Sequence, residues 1–225
     1  MSVYAMMGLS FLPLVVFLTI FRLAVSGFKV WYGLVATLVG LFSLVPIVIV
    51  QYFLLLQLPV FTDNTLMDML LTVMVFNGLI EETVKMFTML LLPHRKTGFG
   101  AFLAMSLISG LALGCFETVI YLFSGYQNIQ IRSLTAVAMH SLCGGLSGIY
   151  VWTWRNPVER DGGKKVPLVM PFVLAVVLHG IYNFFAGFNG LFWWFSVVAI
   201  LMAALECRIW YRQVVENGGK SLLSS

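Results

Sequence analysis

The chain is divided into long apolar stretches that carry no charged side chain. The first stretch, from Met1 to Phe21, contains no Asp, Glu, Lys or Arg, and stretches of similar character follow toward the C-terminus. A run of about 18 or more apolar residues is typical of a membrane-spanning helix. Charged residues make up 10% of the 225 residues, against about 25% in soluble domains. The sequence therefore excludes a water-soluble globule and predicts an all-α, polytopic transmembrane helix bundle.

About seven spans are predicted, each long enough to cross about 30 Å of hydrocarbon. The first span lacks the basic flank of a cleavable signal peptide, so we expect it to be retained. No long linker, internal repeat or low-complexity tract is evident, and residues 1–225 are therefore expected to form a single integral membrane domain. The predicted spans are 3–21, 30–56, 66–92, 98–124, 133–154, 167–187 and 190–208.

The Lys and Arg residues are divided unequally between the two sets of connections. One of the thirteen, Arg132, lies in the fourth connection, Lys85 lies within a span, and the other eleven lie in the first, third and fifth connections and the tail. Because cytoplasmic connections carry the excess of Lys and Arg, we expect an extracytoplasmic N-terminus and a cytoplasmic C-terminus. The net charge of +4 then comes from loop Lys and Arg side chains that face the surface of the lipid bilayer, and nothing indicates a nucleic-acid partner. The eleven are Arg22, Lys29, Arg95, Lys96, Arg155, Arg160, Lys164, Lys165, Arg208, Arg212 and Lys220.

Ionisable side chains lie inside four consecutive predicted spans. A charge at bilayer depth costs at least about 2.5 to 3.5 kcal/mol on insertion scales and is a candidate functional group for that reason. The third span contains Glu81, Glu82 and Lys85 in "NGLIEETVK". The fourth contains Glu117 and Tyr121, which share a helix face, in "CFETVIY".

Histidines occupy the next two spans. His140 lies in "HSLCG" of the fifth span, and His179 lies one turn before Asn183 in "HGIYN" of the sixth. Counted from the outer ends of their spans, both histidines and Glu117 lie about seven or eight residues deep, and the paired glutamates lie deeper. We therefore expect all these groups to meet in one pocket in the outer half of the bundle.

Carboxylates, an ammonium and imidazoles in a water-poor pocket suit general-base activation of water. Glu81 or Glu82, beside Lys85, fits the role of the base, and the sequence leaves open which of the two it is. The alternative for Glu81 and Lys85 is a purely structural ion pair.

The remaining groups suit stabilisation and proton transfer. His179 and Asn183, one turn apart, could aim two donors at a tetrahedral oxyanion. His140 and Glu117 could orient the water or the imidazole, or protonate the leaving amine.

Taken in order, "EETVK", "FETVIY", "HSLCG" and "HGIYN" resemble the four motifs of the PrsW family of bacterial intramembrane proteases. That family is related to the CAAX-processing and bacteriocin-processing membrane proteases. The likeness covers about residues 77–187, within a protease-like core of about 66–187, and implies a multi-pass protein of the bacterial plasma membrane. The site residues that it implies are Glu81, Glu82, Glu117, His140, His179 and Asn183, with Lys85 and Tyr121 supporting them.

The resemblance also implies a substrate. It would be a single-span membrane protein, such as an anti-sigma factor, cut near its extracytoplasmic face in the first step of regulated intramembrane proteolysis during a stress response. Asn183 departs from the family, which more often has aspartate there, and matches the CAAX-protease relatives instead. This departure leaves prenylated peptides or bacteriocins as alternative substrates.

No cofactor is expected, with zinc as the alternative. An amide at Asn183 favours an oxyanion donor over a metal-binding carboxylate, and the chain has no His-Glu-x-x-His helix to hold zinc. If zinc were bound, the residues that the sequence suggests as ligands are Glu82, Glu117, His140 and His179.

Two other functions use the same residues. A proton-coupled transporter would use the glutamates and histidines as a relay, and broken helices in matching inverted repeats would indicate it. A haem-binding electron carrier would use His140 and His179 as axial ligands. The sequence shows no such repeats, and nearby glutamates make a poor lining for haem.

The charge asymmetry predicts the topology. A reporter that is active only outside the cytoplasm should be active when fused after Phe61 or Gln130, and inactive after Lys96 or Lys164, because the Lys-rich and Arg-rich connections stay inside. Reporter activity in intact cells measures this. The reversed pattern would place the pocket on the cytoplasmic side and exclude the anti-sigma substrate.

Overall fold

The structure is a computed structural model of the chain and describes residues 3–57, 65–95, 97–123, 129–160 and 164–223. Lys96, one of the eleven charges behind the topology prediction, lies outside these residues, as does the fusion point Phe61.

The described residues are almost entirely helical, which confirms the predicted fold class. A π-helical segment, Val73–Ile80, joins two α-helices without a break, and an antiparallel hairpin of two three-residue strands pairs Val158 with Val166. The α-helices are α1 (Val3–Ser10), α2 (Leu12–Ala24), α3 (Val30–Gln57), α4 (Thr65–Thr72), α5 (Glu81–Met89), α6 (Phe99–Phe123), α7 (Ile129–Arg155), α8 (Met170–Ala186) and α9 (Trp194–Leu223), and the strands are β1 (Val158–Arg160) and β2 (Lys164–Val166).

Five helical segments of the described residues are long and apolar enough to cross a membrane. Two further predicted spans have a different form. The third is the composite of α4, the π-helical segment and α5, over 65–89, and the sixth is the 17-residue α8. The last predicted span, 190–208, falls largely on α9, which begins at Trp194 and continues beyond the predicted end to Leu223.

Proline and glycine set the ends of several helices. Pro171 lies in the first turn of α8, where its missing N–H would have no helical partner in any case. Gly27, between α2 and α3, has a φ of +77°, and Gly190, between α8 and α9, has a φ of +68°. Both angles lie in the left-handed region that glycine adopts without a steric penalty.

The core forms around α6 and α7, which are buried over most of their length and pack closely on each other. Glycine makes this approach possible. A Cβ at Gly110 would lie 2.8 Å from the carbonyl carbon of His140, and one at Gly144 would lie 3.1 Å from the Cα of Gly110. Small residues that let two backbones touch are the usual contact between membrane helices.

The outer helices turn large apolar side chains outward. On α3, six of the exposed residues recur every three or four positions, which places these six on one face of the helix. Such a face has no place in water and matches the lipid-facing side of a membrane bundle. On α3 this face consists of Val30, Leu34, Leu38, Phe42, Val45 and Ile49.

The contact between α6 and α7 predicts an asymmetry between two glycines of α6. Gly110→Ala should lose about 1 to 3 kcal/mol of stability, because the methyl group meets the backbone of α7 and forces it away. Gly100→Ala is the matched control, since its Cβ would meet nothing closer than Val25 at 3.8 Å. Thermal unfolding in detergent measures both, and equal midpoints for the two variants would refute the close contact.

Candidate active site

The part of the third span that carries the charged side chains is positioned by close contact with α8. The π-helical segment and α8 approach through glycines on both sides: a Cβ at Gly78 would lie 2.7 Å from the carbonyl oxygen of Val176, and one at Gly180 would lie 3.2 Å from the Cα of Met74. π-Helical turns are rare and frequently lie at functional sites. Here the segment ends directly before Glu81 and Glu82, and it brings the first turn of α5 against α8.

Glu82 is the buried centre of the cluster. One of its oxygens, Oε1, forms an ion pair with Lys85 and lies 2.7 Å from Nδ1 of His179. Its other oxygen, Oε2, accepts a hydrogen bond of 3.2 Å from the hydroxyl of Ser147. Glu82, Lys85 and His179 are each at most 1% exposed. A charge this deep is tolerated when it is paired and hydrogen-bonded, and Glu82 meets both conditions.

This arrangement corrects one expectation. Glu81 and Lys85 share a helix face, but Lys85 pairs with Glu82, three residues before it. Both spacings bring helical side chains together. The carboxylate of Glu81 instead points to donors on other turns and helices, which leaves the ammonium to Glu82.

Glu81 is held from one side. Its Oε1 accepts hydrogen bonds from the amides of Gln51 at 3.2 Å and Asn77 at 3.4 Å. Its Oε2 lies 4.0 Å from Nε2 of His179 and, among the described residues, makes no hydrogen bond. One carboxylate oxygen is therefore anchored while the other faces the imidazole.

His140 joins the cluster from α7. Its Nε2 lies 2.6 Å from Oε2 of Glu117, and its Nδ1 lies 3.5 Å from Nζ of Lys85. The hydroxyl of Tyr121 donates a hydrogen bond of 3.1 Å to the other oxygen of Glu117. With a carboxylate beside Nε2 and an ammonium beside Nδ1, the hydrogen-bond roles assign a donor hydrogen to Nε2 and the acceptor role to Nδ1.

The cluster becomes more accessible toward Glu117. The side chain of Glu117 is 20% exposed, against 0% for Glu82. Glu117 also lies six residues before the C-terminal end of α6, at the end of the bundle where the sequence predicts the extracytoplasmic side. Glu117 therefore marks the side from which the buried groups are closest to the surface.

The contacts of His179 and Asn183 differ from those expected of two donors aimed at an oxyanion. Since Glu82 accepts from Nδ1, that nitrogen carries the hydrogen and Nε2 of the neutral ring holds a lone pair. The Nε2 atom is buried without a hydrogen-bond partner among the described residues. The amide of Asn183 donates to the backbone carbonyl of His179 at 3.3 Å, within its own helix, so its role at an oxyanion stays a prediction.

The donor set fits a divalent metal by type and spacing. Glu81, His140 and His179 each offer one ligand atom within 4.8 Å of the others, and two imidazoles with a carboxylate form a familiar zinc set. The unpartnered Nε2 of His179 is a suitable donor, because Glu82 orients the ring through Nδ1 as a carboxylate does behind a metal-bound histidine. This triad differs from the four ligands that the sequence suggested, since Glu81 replaces Glu82 and Glu117.

A haem between the two histidines is excluded by distance. The ring centroids of His140 and His179 are 4.8 Å apart at an angle of 78°, which leaves no space for a macrocycle between them.

Two contributing side chains were missed at the sequence level. Gln51 lies on α3 and Ser147 lies on α7, and each donates to one of the paired glutamates. Gln51 is the sole Gln, Asn or charged residue between Lys29 and Gln57, which is the signal that could have identified it. Ser147 has no such signal, because serine is common in membrane helices.

Comparisons with known proteins identify the family of the chain. A family model described as "PrsW family intramembrane metalloprotease" matches residues 29–205. A protein named "Protease PrsW", from Oceanobacillus iheyensis, is 31% identical over 113 residues, which cover 48% of this chain. The match spans 50% of the length of that relative, and no solved structure matches the chain.

The family match extends over most of the chain and includes all four motif-bearing helices. With the resemblance of the motifs, it establishes that the chain is a member of the PrsW family of intramembrane metalloproteases.

Proposed function

We propose that the chain is an intramembrane endopeptidase of the bacterial plasma membrane, with Glu81 as the base that activates water. The observation that carries the proposal is the buried pair formed by Oε2 of Glu81 and Nε2 of His179, which face each other at 4.0 Å. Membership of the family supports proteolysis, and the pair supplies two acceptors that can hold one water between them.

The contacts favour Glu81 over Glu82 as the base. Both oxygens of Glu82 are engaged, by Lys85 and His179 on one and by Ser147 on the other. A base needs an oxygen within reach of the proton that it removes. Glu81 keeps Oε2 for this purpose, whereas Glu82 is suited to orient His179.

Glu82 and His179 then act as a carboxylate–imidazole pair. A carboxylate on Nδ1 fixes the tautomer and orientation of the ring, as the aspartate does in a Ser-His-Asp triad. The lone pair on Nε2 can accept the second hydrogen of the water and so turn an oxygen lone pair toward the substrate. If Glu81 passes the proton that it takes from water on to Nε2, the protonated ring donates to the oxyanion and then returns the proton for the leaving nitrogen.

The reaction is a hydrolysis in two steps. Glu81 takes a proton from the water as its oxygen bonds to the peptide carbonyl carbon, and the carbonyl oxygen becomes a tetrahedral oxyanion. When this intermediate collapses, the C–N bond breaks and Glu81 returns the proton to the leaving nitrogen. Lys85, whose ammonium lies 3.5 Å from His140, contributes positive charge near the developing oxyanion.

A divalent ion, if bound, would be held by Glu81, His140 and His179 and would supply Lewis-acid polarisation of the carbonyl. Lys85 already places a positive charge beside Glu82 and His140. Both nitrogens of His140 are engaged, Nε2 by Glu117 and Nδ1 by Lys85. On these contacts we propose that the chain's own residues suffice for hydrolysis.

The substrate that fits this position is a single-span membrane protein, such as an anti-sigma factor, cut near its extracytoplasmic end. Support comes from the accessible side of the cluster, at Glu117, which lies near the end of α6 that the charge asymmetry places outside. A proton-coupled transporter is the alternative, and none of the observed contacts favours it over the family's activity.

Glu81→Gln should lower cleavage at least about a hundredfold, because an amide cannot take the proton from water. Glu206→Gln is the matched control. Glu206 lies on α9, accepts a hydrogen bond from Trp210 and takes no part in the cluster. The measurement is cleavage of co-expressed single-span membrane proteins that carry an extracytoplasmic tag, with membrane protein levels matched. Full activity in Glu81→Gln would remove the base from the mechanism.

Activity should persist in EDTA and 1,10-phenanthroline, because Lys85 supplies the positive charge and Glu81 the base. Cleavage in proteoliposomes, together with elemental analysis of the purified wild type and His179→Ala, measures this. The opposite result is stoichiometric zinc that His179→Ala lacks, with activity lost on chelation and restored by zinc. That outcome would assign Glu81, His140 and His179 as metal ligands.

A further inference from the structure

We infer that Gln51 on α3 is a positioning residue for Glu81, an inference that rests on the proposed role of Glu81 as the base. Its amide nitrogen donates to Oε1 of Glu81 at 3.2 Å and to the backbone carbonyl of Phe76 at 3.1 Å. The amide carries two hydrogens, so it can serve both acceptors at once. Gln51 lies outside all four motifs that identify the site.

The second acceptor ties Gln51 to the backbone of the base. The N–H of Glu81 is hydrogen-bonded to two carbonyls, that of Gly78 and that of Phe76, five residues earlier as in a π-helical turn. Gln51 therefore holds one of the two carbonyls that bind the backbone of Glu81 and, through its other hydrogen, holds the side chain. One amide fixes both ends of the residue across the interface between α3 and the third span.

As a consequence, the carboxylate of Glu81 is held in one orientation. With Oε1 held by Gln51, and more weakly by Asn77 at 3.4 Å, the carboxylate cannot rotate without losing hydrogen bonds. Its Oε2 stays directed toward Nε2 of His179. A group that is held in its reactive orientation gains rate without gaining affinity for the substrate.

An amide within an otherwise apolar stretch of helix needs a compensating contact. Polar side chains in the apolar part of a bundle are costly unless they are hydrogen-bonded, and the described neighbours of Gln51 on α3 are apolar or aromatic. The two bonds to the third span provide the compensation. They also explain why α3, which carries none of the motifs, contributes to the site.

The test compares Gln51→Met with Ser43→Ala. Met has nearly the length and volume of Gln but no hydrogen-bond donor. Ser43 is a buried residue of the same helix whose hydroxyl bonds to the carbonyl of Gly40 within that helix, so it reports general damage to α3. We expect Gln51→Met to lose about tenfold to a hundredfold in kcat with KM little changed, as for loss of a hydrogen bond to a charged group, and Ser43→Ala to keep both.

A merely structural role would give a different pattern. Gln51→Asn keeps the donor but shortens its reach, so we expect it to recover part of the kcat that Gln51→Met loses. A Gln51→Met enzyme with kcat within about threefold of the wild type would overturn the inference. If Glu81→Gln is inactive while Gln51→Met is fully active, the inference alone fails. If Glu81→Gln is itself active, the proposed base fails.

A second measurement needs no substrate. Thermal unfolding of Gln51→Met, Glu81→Met and the double variant forms a double-mutant cycle. We expect the Gln51 substitution to lower the midpoint less when Glu81 is already replaced, because one of its two bonds is then absent. Additive shifts would show that the two side chains are not coupled, which contradicts the inference.

Discussion

The structure depends on the mutual compensation of Glu82 and Lys85 at the centre of an apolar bundle. Neither charge would be tolerated alone in this environment, and removing one partner of a buried pair typically costs about 3 to 5 kcal/mol. Paired, they organise the surrounding groups. Glu82 orients the ring of His179, and Lys85 reaches His140, whose other nitrogen is held by Glu117. Four helices, α5 to α8, are thereby connected through one chain of polar contacts.

This chain of contacts needs helices that approach more closely than large side chains permit. Gly110 and Gly144 let α6 and α7 meet at backbone distance, which places His140 against Glu117. Gly78 and Gly180 do the same for the third span and α8, which places Glu82 against His179. In a membrane, an apolar side chain gains little by moving from lipid to a helix interface, because both surroundings are apolar. Close packing and polar contacts are therefore what hold the helices together.

Much of the fold and the membership of the site could be predicted from the sequence. Apolar runs identified the helices, and charges at bilayer depth identified Glu81, Glu82, Glu117, His140 and His179 as candidates. What the sequence could not provide was the pairing. Both Glu81 and Glu82 lie within reach of Lys85 on a helix, and the choice depends on Gln51 and Ser147 from other helices. The π-helical segment could not be predicted either, because its mostly apolar sequence is compatible with an α-helix as well as with a π-helix.

The central claim is that this buried cluster hydrolyses a peptide bond near the outer face of the membrane. The most direct measurement is the position of the cut. Purified protein would be reconstituted with a single-span substrate of known orientation, and the new termini would be mapped by mass spectrometry. The account predicts a cut within a few residues of the extracytoplasmic end of the substrate's span, at the depth of Glu81 and His179. A cut at the cytoplasmic end, or none by an intact protein across a panel of such substrates, would contradict it.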